Sequence, residues 1–127
     1  MEAIEGTQNL TIIVYSPAKA AVLGKFRNNG QVCVSPSRFY IHADIVGKFT
    51  EAAVAEAKKL KLGNGLDAGI DVGPMFEKKA MDNTLALIAD ATKKGAECLT
   101  GGKRSDLYDK GYFFEPTVLR NLSKDAN

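Results

Sequence analysis

Apolar residues in this 127-residue chain fall into two alternating patterns. β-Branched and aromatic runs occupy residues 10–15, 38–42, 96–99 and 112–119, each short enough to form a strand. Between them the apolar residues recur every three or four positions, the spacing that gathers one stripe on a helix. Ala21, Val22 and Phe26 make the first such stripe, and Ile45, Val46, Phe49, Ala53, Ala57 and Leu60 the second. Met81, Leu85, Ile88 and Ala91 make the third. The order strand, helix, strand, helix, helix, strand, strand predicts an α/β layer whose sheet is mostly parallel and flanked by helices.

Local punctuation refines this reading. Ser16 is suited to cap a helix that starts at Pro17 and runs toward Arg27, because proline is tolerated in a first helical turn. Asn29-Gly30 stops it. Asp44 caps the second helix, and Gly63 is placed to close it in a left-handed conformation. Residues 63–74 read as a glycine-rich loop ending at Pro74, after which the third helix runs to Lys93-Lys94-Gly95, a basic last turn followed by a glycine stop. Pro116, inside the last apolar run, calls for an edge position or a bulge, since it has no N–H to give to a ladder.

Charge and special residues narrow the function classes. Lys and Arg total 17 against 15 Asp and Glu, a net charge of +2, so no strong field points toward nucleic acid or an anionic membrane. No apolar stretch approaches the roughly 20 residues that would cross a bilayer, and Glu2 and Glu5 stand where a signal peptide would carry basic residues. The expectation is a cytoplasmic chain of one domain at most, with Cys33 and Cys98 as free thiols. His42 is the sole histidine, and no metal-ligand spacing surrounds it, so no metal is expected. Gly63-Asn64-Gly65-Leu66-Asp67-Ala68 matches a loose dinucleotide pattern but follows a helix rather than a strand, which removes the geometry that pattern needs. Gly102-Lys103 fails as a phosphate loop, with Glu97 where the first glycine belongs and Arg104 in place of Ser or Thr.

Cys33 stands apart. It follows a helix end and a glycine break in Asn28-Asn29-Gly30-Gln31-Val32-Cys33, and Lys25 and Arg27 lie close enough in sequence to favour a thiolate. By its chemistry alone, however, a lone cysteine is more often a small buried hydrophobe than a nucleophile. No base is visible beside it: His42 is nine residues on, with no Asp or Asn to orient it.

The stretch Phe26-Arg27-Asn28-Asn29-Gly30-Gln31-Val32-Cys33, followed by Ser37-Arg38-Phe39-Tyr40-Ile41-His42, resembles the catalytic-cysteine segment of the NAD(P)-dependent aldehyde dehydrogenase superfamily. The resemblance continues in the family's order through Leu62-Gly63-Asn64-Gly65-Leu66-Asp67, Ile70-Asp71-Val72-Gly73-Pro74, Lys94-Gly95-Ala96, Gly101-Gly102-Lys103 and Gly111-Tyr112-Phe113-Phe114-Glu115-Pro116-Thr117-Val118-Leu119. It implies that residues 25–127 are a portion of the catalytic domain of that fold, whereas residues 1–24 match poorly. It implies that Cys33 attacks an aldehyde carbonyl, that its backbone N–H helps hold the oxyanion, and that hydride leaves to the nicotinamide before water hydrolyses the thioester. Asn28, Gly30 and Gln31 would shape the loop. Arg27 is similar to the arginine of the succinate-semialdehyde branch that pairs with the far carboxylate of the substrate.

The chain also departs from the family. The preceding dinucleotide-binding domain, the glutamate of the Leu-Glu-x-Gly-Gly stretch, the upstream asparagine of the oxyanion hole and the Glu-x-Phe-Gly-Pro segment have no counterpart in it. The expectation is therefore a chain that binds no NAD or NADP alone and is inactive by itself as a dehydrogenase. Its partners would be a small aldehyde and either further copies of itself or a chain supplying the missing domain. Two other readings are a non-catalytic assembly module and a cofactor-free thiol esterase.

Overall fold

The computed structural model describes residues 7–126. Among these are three helices, α1 (Thr7–Phe26), α2 (Val46–Ala57) and α3 (Lys78–Lys93), and two strands, β1 (Glu97–Thr100) and β2 (Val118–Arg120). The core sits where α1 crosses α2. Ala18, Val22, Ala52, Ala53 and Ala57 are buried there, with Phe26, Ile45, Phe49, Leu60 and Val118 packed around them. Small alanines on α2 let the helix backbones approach closely, and the larger side chains close the rim.

The second and third helices follow their apolar stripes. Ala53 and Ala57 of α2 are buried, and Met81 and Ala91 of α3 are buried with Leu85 and Ile88 half-buried between them. The end of α3 is a Schellman closure at the expected glycine: Gly95 has φ +99°, its N–H donates to Thr92 O at 3.0 Å, and Ala96 N–H donates to Ala91 O at 2.9 Å.

Several expectations are corrected. Residues 10–15 are helical, not a strand, and Pro17 lies inside α1 rather than at its start. The β-branched preference of that run amounts to a few tenths of a kcal/mol per residue, which helix propagation from a packed segment overrides. Residues 38–42 are not a strand but an irregular, mostly exposed segment; Tyr40 is 94% exposed. The described residues do not show the mostly parallel sheet either. Among the described residues β1 and β2 pair antiparallel, Cys98 opposite Leu119 and Thr100 opposite Val118, with a bulge at Leu99 between them. The parallel contact is an isolated bridge, Leu62 to Val72.

Gly63 does not cap α2, which ends at Ala57. It belongs to the Leu62–Val72 bridge, donating its N–H to Val72 O at 2.9 Å, and a Cβ there would come within 2.6 Å of Ile70 Cδ1. The run 112–119 is split: Phe114 bridges Arg104, and only residues from Val118 onward join β1. Gly101 lies against Pro116 at the break, close enough that a Cβ would stand 2.4 Å from the proline carbonyl oxygen.

Leu66, Phe76, Val34 and Leu107 remain largely exposed.

Candidate functional site

At the end of α1 the chain makes an abrupt left-handed turn. Asn28, Asn29 and Gly30 have φ of 49°, 57° and 74° in succession. Such values cost most L-residues roughly 1–2 kcal/mol each, less for asparagine and least for glycine, which is why Asn-Asn-Gly occupies these positions. A Cβ at residue 30 would stand 3.0 Å from Lys25 O. The turn is secured by Gln31 N–H donating to Asn28 O at 3.0 Å and by the Asn28 side-chain amide donating to Gln31 O at 3.3 Å.

Cys33 follows immediately. It and Val34 are the central residues of a four-residue turn closed by Ser35 N–H donating to Val32 O at 3.0 Å. The thiol is free and exposed, which excludes its reading as a buried hydrophobe. Lys25 reaches over the turn to donate to Pro36 O at 3.2 Å, tying the last turn of α1 to the far side of the loop. Beneath it, Ser35 Oγ is buried without a hydrogen-bond partner.

Two side chains pin this turn to a distant stretch. Asn29 donates through its side-chain amide to Gly73 O at 3.0 Å, and Phe76 N–H donates to Gln31 Oε1 at 3.0 Å. Both contacts join residues more than 40 positions apart. Asn28, Gln31, Pro74, Met75 and Phe76 line an open cavity of about 590 Å³. Asn29 was not singled out by the sequence; the one available signal was its place in a run of residues that tolerate left-handed backbone.

Arg27 is exposed and lines a separate, smaller cavity of about 200 Å³ with Phe26, Leu60, Asp71 and Val72. Gln31 and Cys33 do not line that cavity. His42 is exposed and accepts at Nδ1 from Asp44 N–H at 3.3 Å, serving as the cap of a short turn rather than as a base paired with Cys33.

The glycine pairs do not fit a dinucleotide. Gly63 N–H is committed to Val72 O and the space beside its Cα is filled by Ile70, while Gly102 N–H is committed to Thr117 Oγ1 at 2.7 Å. Neither presents a free row of N–H groups to a phosphate. Among the described residues no group of three or more His, Cys, Asp or Glu could hold a metal, and no helix is long and apolar enough to cross a membrane.

Cys33 is thus a free, exposed cysteine on a tight turn directly behind the left-handed Asn28-Asn29-Gly30 bend. The family model described as the aldehyde dehydrogenase family matches residues 13–127, and the chain belongs to that family. It is 40% identical over 124 residues to glutarate-semialdehyde dehydrogenase of Pseudomonas aeruginosa, a match spanning 93% of this chain and 25% of the relative. Against an NADP(+) succinate-semialdehyde dehydrogenase of Escherichia coli K12 it is 36% identical over 124 residues, again 93% of this chain and 25% of the relative. The crystal structure of succinate-semialdehyde dehydrogenase from Burkholderia pseudomallei superposes with a TM-score of 0.80 at 40% identity, covering 87% of this chain and 22% of that one. The chain thus spans about a quarter of the length of the relatives it matches.

Proposed function

We propose that this chain carries the nucleophile of an NAD(P)-dependent aldehyde dehydrogenase, and that the nucleophile is Cys33. Its sulfur, as thiolate, would form a bond to the aldehyde carbon while the carbonyl π electrons move to oxygen, giving a thiohemiacetal oxyanion that the Cys33 N–H helps stabilise. The observation that carries this reading is the exposed, free thiol of Cys33 at the centre of a turn anchored on both sides. Asn28, Gly30 and Gln31 shape that turn in this reading. NAD or NADP enters this reading through the relatives. Residues 25–127 are taken as a portion of the catalytic domain, and the setting as the cytoplasm.

For the substrate we infer a short aldehyde with a carboxylate at its far end, as in succinate semialdehyde, with Arg27 as the carboxylate's partner. The support is the identity of residue 27 and the names of the relatives, two of which act on dicarboxylic semialdehydes. Further copies of the chain, or a chain carrying the dinucleotide-binding part, are the proposed partners. The large exposed apolar surface supports such association. Association of this kind serves the dehydrogenase reading as well as an assembly module, so neither that module nor the esterase is favoured over it.

The test uses the two exposed cysteines as signal and internal control. Alkylation of each by iodoacetamide is followed by peptide mass spectrometry while succinate semialdehyde is titrated in. Reversible capture of the aldehyde at Cys33 protects that residue at concentrations that leave Cys98 labelled at its original rate. Equal protection of both cysteines, or of neither, removes the reading. Arg27→Gln is expected to weaken protection by succinate semialdehyde about fivefold while leaving that by butanal unchanged.

A further inference from the structure

The residues that hold the cysteine turn in place are not those on either side of the thiol. The segment 73–76 has its polar backbone groups shared between two neighbours. Met75 N–H donates to Tyr112 O at 2.9 Å, fixing the segment to the body of the molecule, whereas Gly73 O and Phe76 N–H face the other way and are taken by the side chains of Asn29 and Gln31. Pro74, between them, has no N–H to leave unpaired. The two side chains flank Gly30 and lie two and four residues before Cys33, so both contacts act on the backbone from which the cysteine turn emerges.

We propose that Asn29 is a positioning residue for Cys33, acting with Gln31 as a clamp that docks the nucleophile's turn on the 73–76 segment. This rests on the reading of Cys33 as nucleophile. Asn29 is suited to the task in two respects. Its amide can reach Gly73 O from a left-handed backbone at φ 57°, and asparagine is among the few non-glycine residues that adopt such a backbone at small cost. With the clamp closed, Pro74, Met75 and Phe76 form one wall of the open cavity and Asn28 and Gln31 another. Phe76, 86% exposed, is held there through its N–H rather than by burial of its ring.

The test separates the clamp from the nucleophile. Asn29→Gly keeps the left-handed backbone and removes only the amide; Asn29→Asp keeps the shape and replaces the donor with an acceptor facing Gly73 O. Each variant is read by the aldehyde titration at Cys33, by Cys98 alkylation, and by hydrogen exchange of the Phe76 amide. The clamp predicts that either substitution weakens aldehyde protection of Cys33 about fivefold and speeds Phe76 exchange by a similar factor, while Cys98 labelling and α3 exchange stay as they were. A purely structural role for Asn29 would move Cys98 labelling and α3 exchange together with the rest, and that result overturns the proposal. So does unchanged protection with unchanged Phe76 exchange. Should the unsubstituted chain show no selective protection, the nucleophile reading falls and the catalytic part of this proposal with it. Phe76 exchange in Asn29→Gly then decides whether the clamp itself exists.

Discussion

The conformational demands on single residues around Cys33 and the Gly101 corner lead to two predictions of opposite sign. Ser35 Oγ is buried with no partner, a cost that removing the hydroxyl relieves. Ser35→Ala is expected to raise stability by about 1 kcal/mol, read as a higher urea midpoint at unchanged slope. Gly101 is the reverse case: at φ +70° and with Pro116 O 2.4 Å from any added Cβ, Gly101→Ala should cost about 2 kcal/mol or more, measured in the same titration. An Ala at 101 that left the midpoint in place would show that the Gly101–Pro116 approach does not exist in solution. The nucleophile candidate became visible through the resemblance of residues 26–33 to a catalytic-cysteine segment, since residue chemistry alone left Cys33 as readily a buried hydrophobe. The sequence could not show Asn29, because a side chain whose partner lies 44 positions away leaves no local trace.

Among the elements, those with amphipathic stripes were the legible ones. The buried residues of α3, Met81 and Ala91, and two of those of α2, Ala53 and Ala57, lie on the spacing their sequences display, and the glycine stop of α3 is a Schellman closure as its sequence suggests. Gly95→Ala should therefore destabilise the chain by about 1 kcal/mol, since alanine must adopt φ near +99° to keep the closure. At the α1–α2 crossing, Ala53→Leu is expected to cost about 1–3 kcal/mol, because the buried alanines of α2 leave no room for a larger side chain against Ala18 and Val22. Both effects are read from thermal or urea unfolding, and an Ala53→Leu variant of undiminished stability would contradict the packing described for the two helices. Illegible elements were those whose outcome depends on something other than local pattern. Residues 10–15 are strand-like in composition and helical in fact, and residues 38–42 have the composition of a strand but no ladder among the described residues to join. Pro116 signalled a break in the last apolar run, but where the pairing resumes, at Val118, is set by the close approach of Gly101.

For the molecule as a whole, large apolar side chains such as Leu66, Phe76, Val34 and Leu107 stay exposed. The apparent size in gel filtration should therefore rise with protein concentration as exposed apolar faces meet. A concentration-independent size would contradict that reading. The central claim is chemical, and it concerns one sulfur. The most direct measurement is the ratio of Cys33 to Cys98 alkylation, determined by peptide mass spectrometry with and without succinate semialdehyde. The account predicts a ratio that falls at least about fivefold as aldehyde is added and recovers when it is dialysed away. A ratio that stays constant across the titration would contradict it.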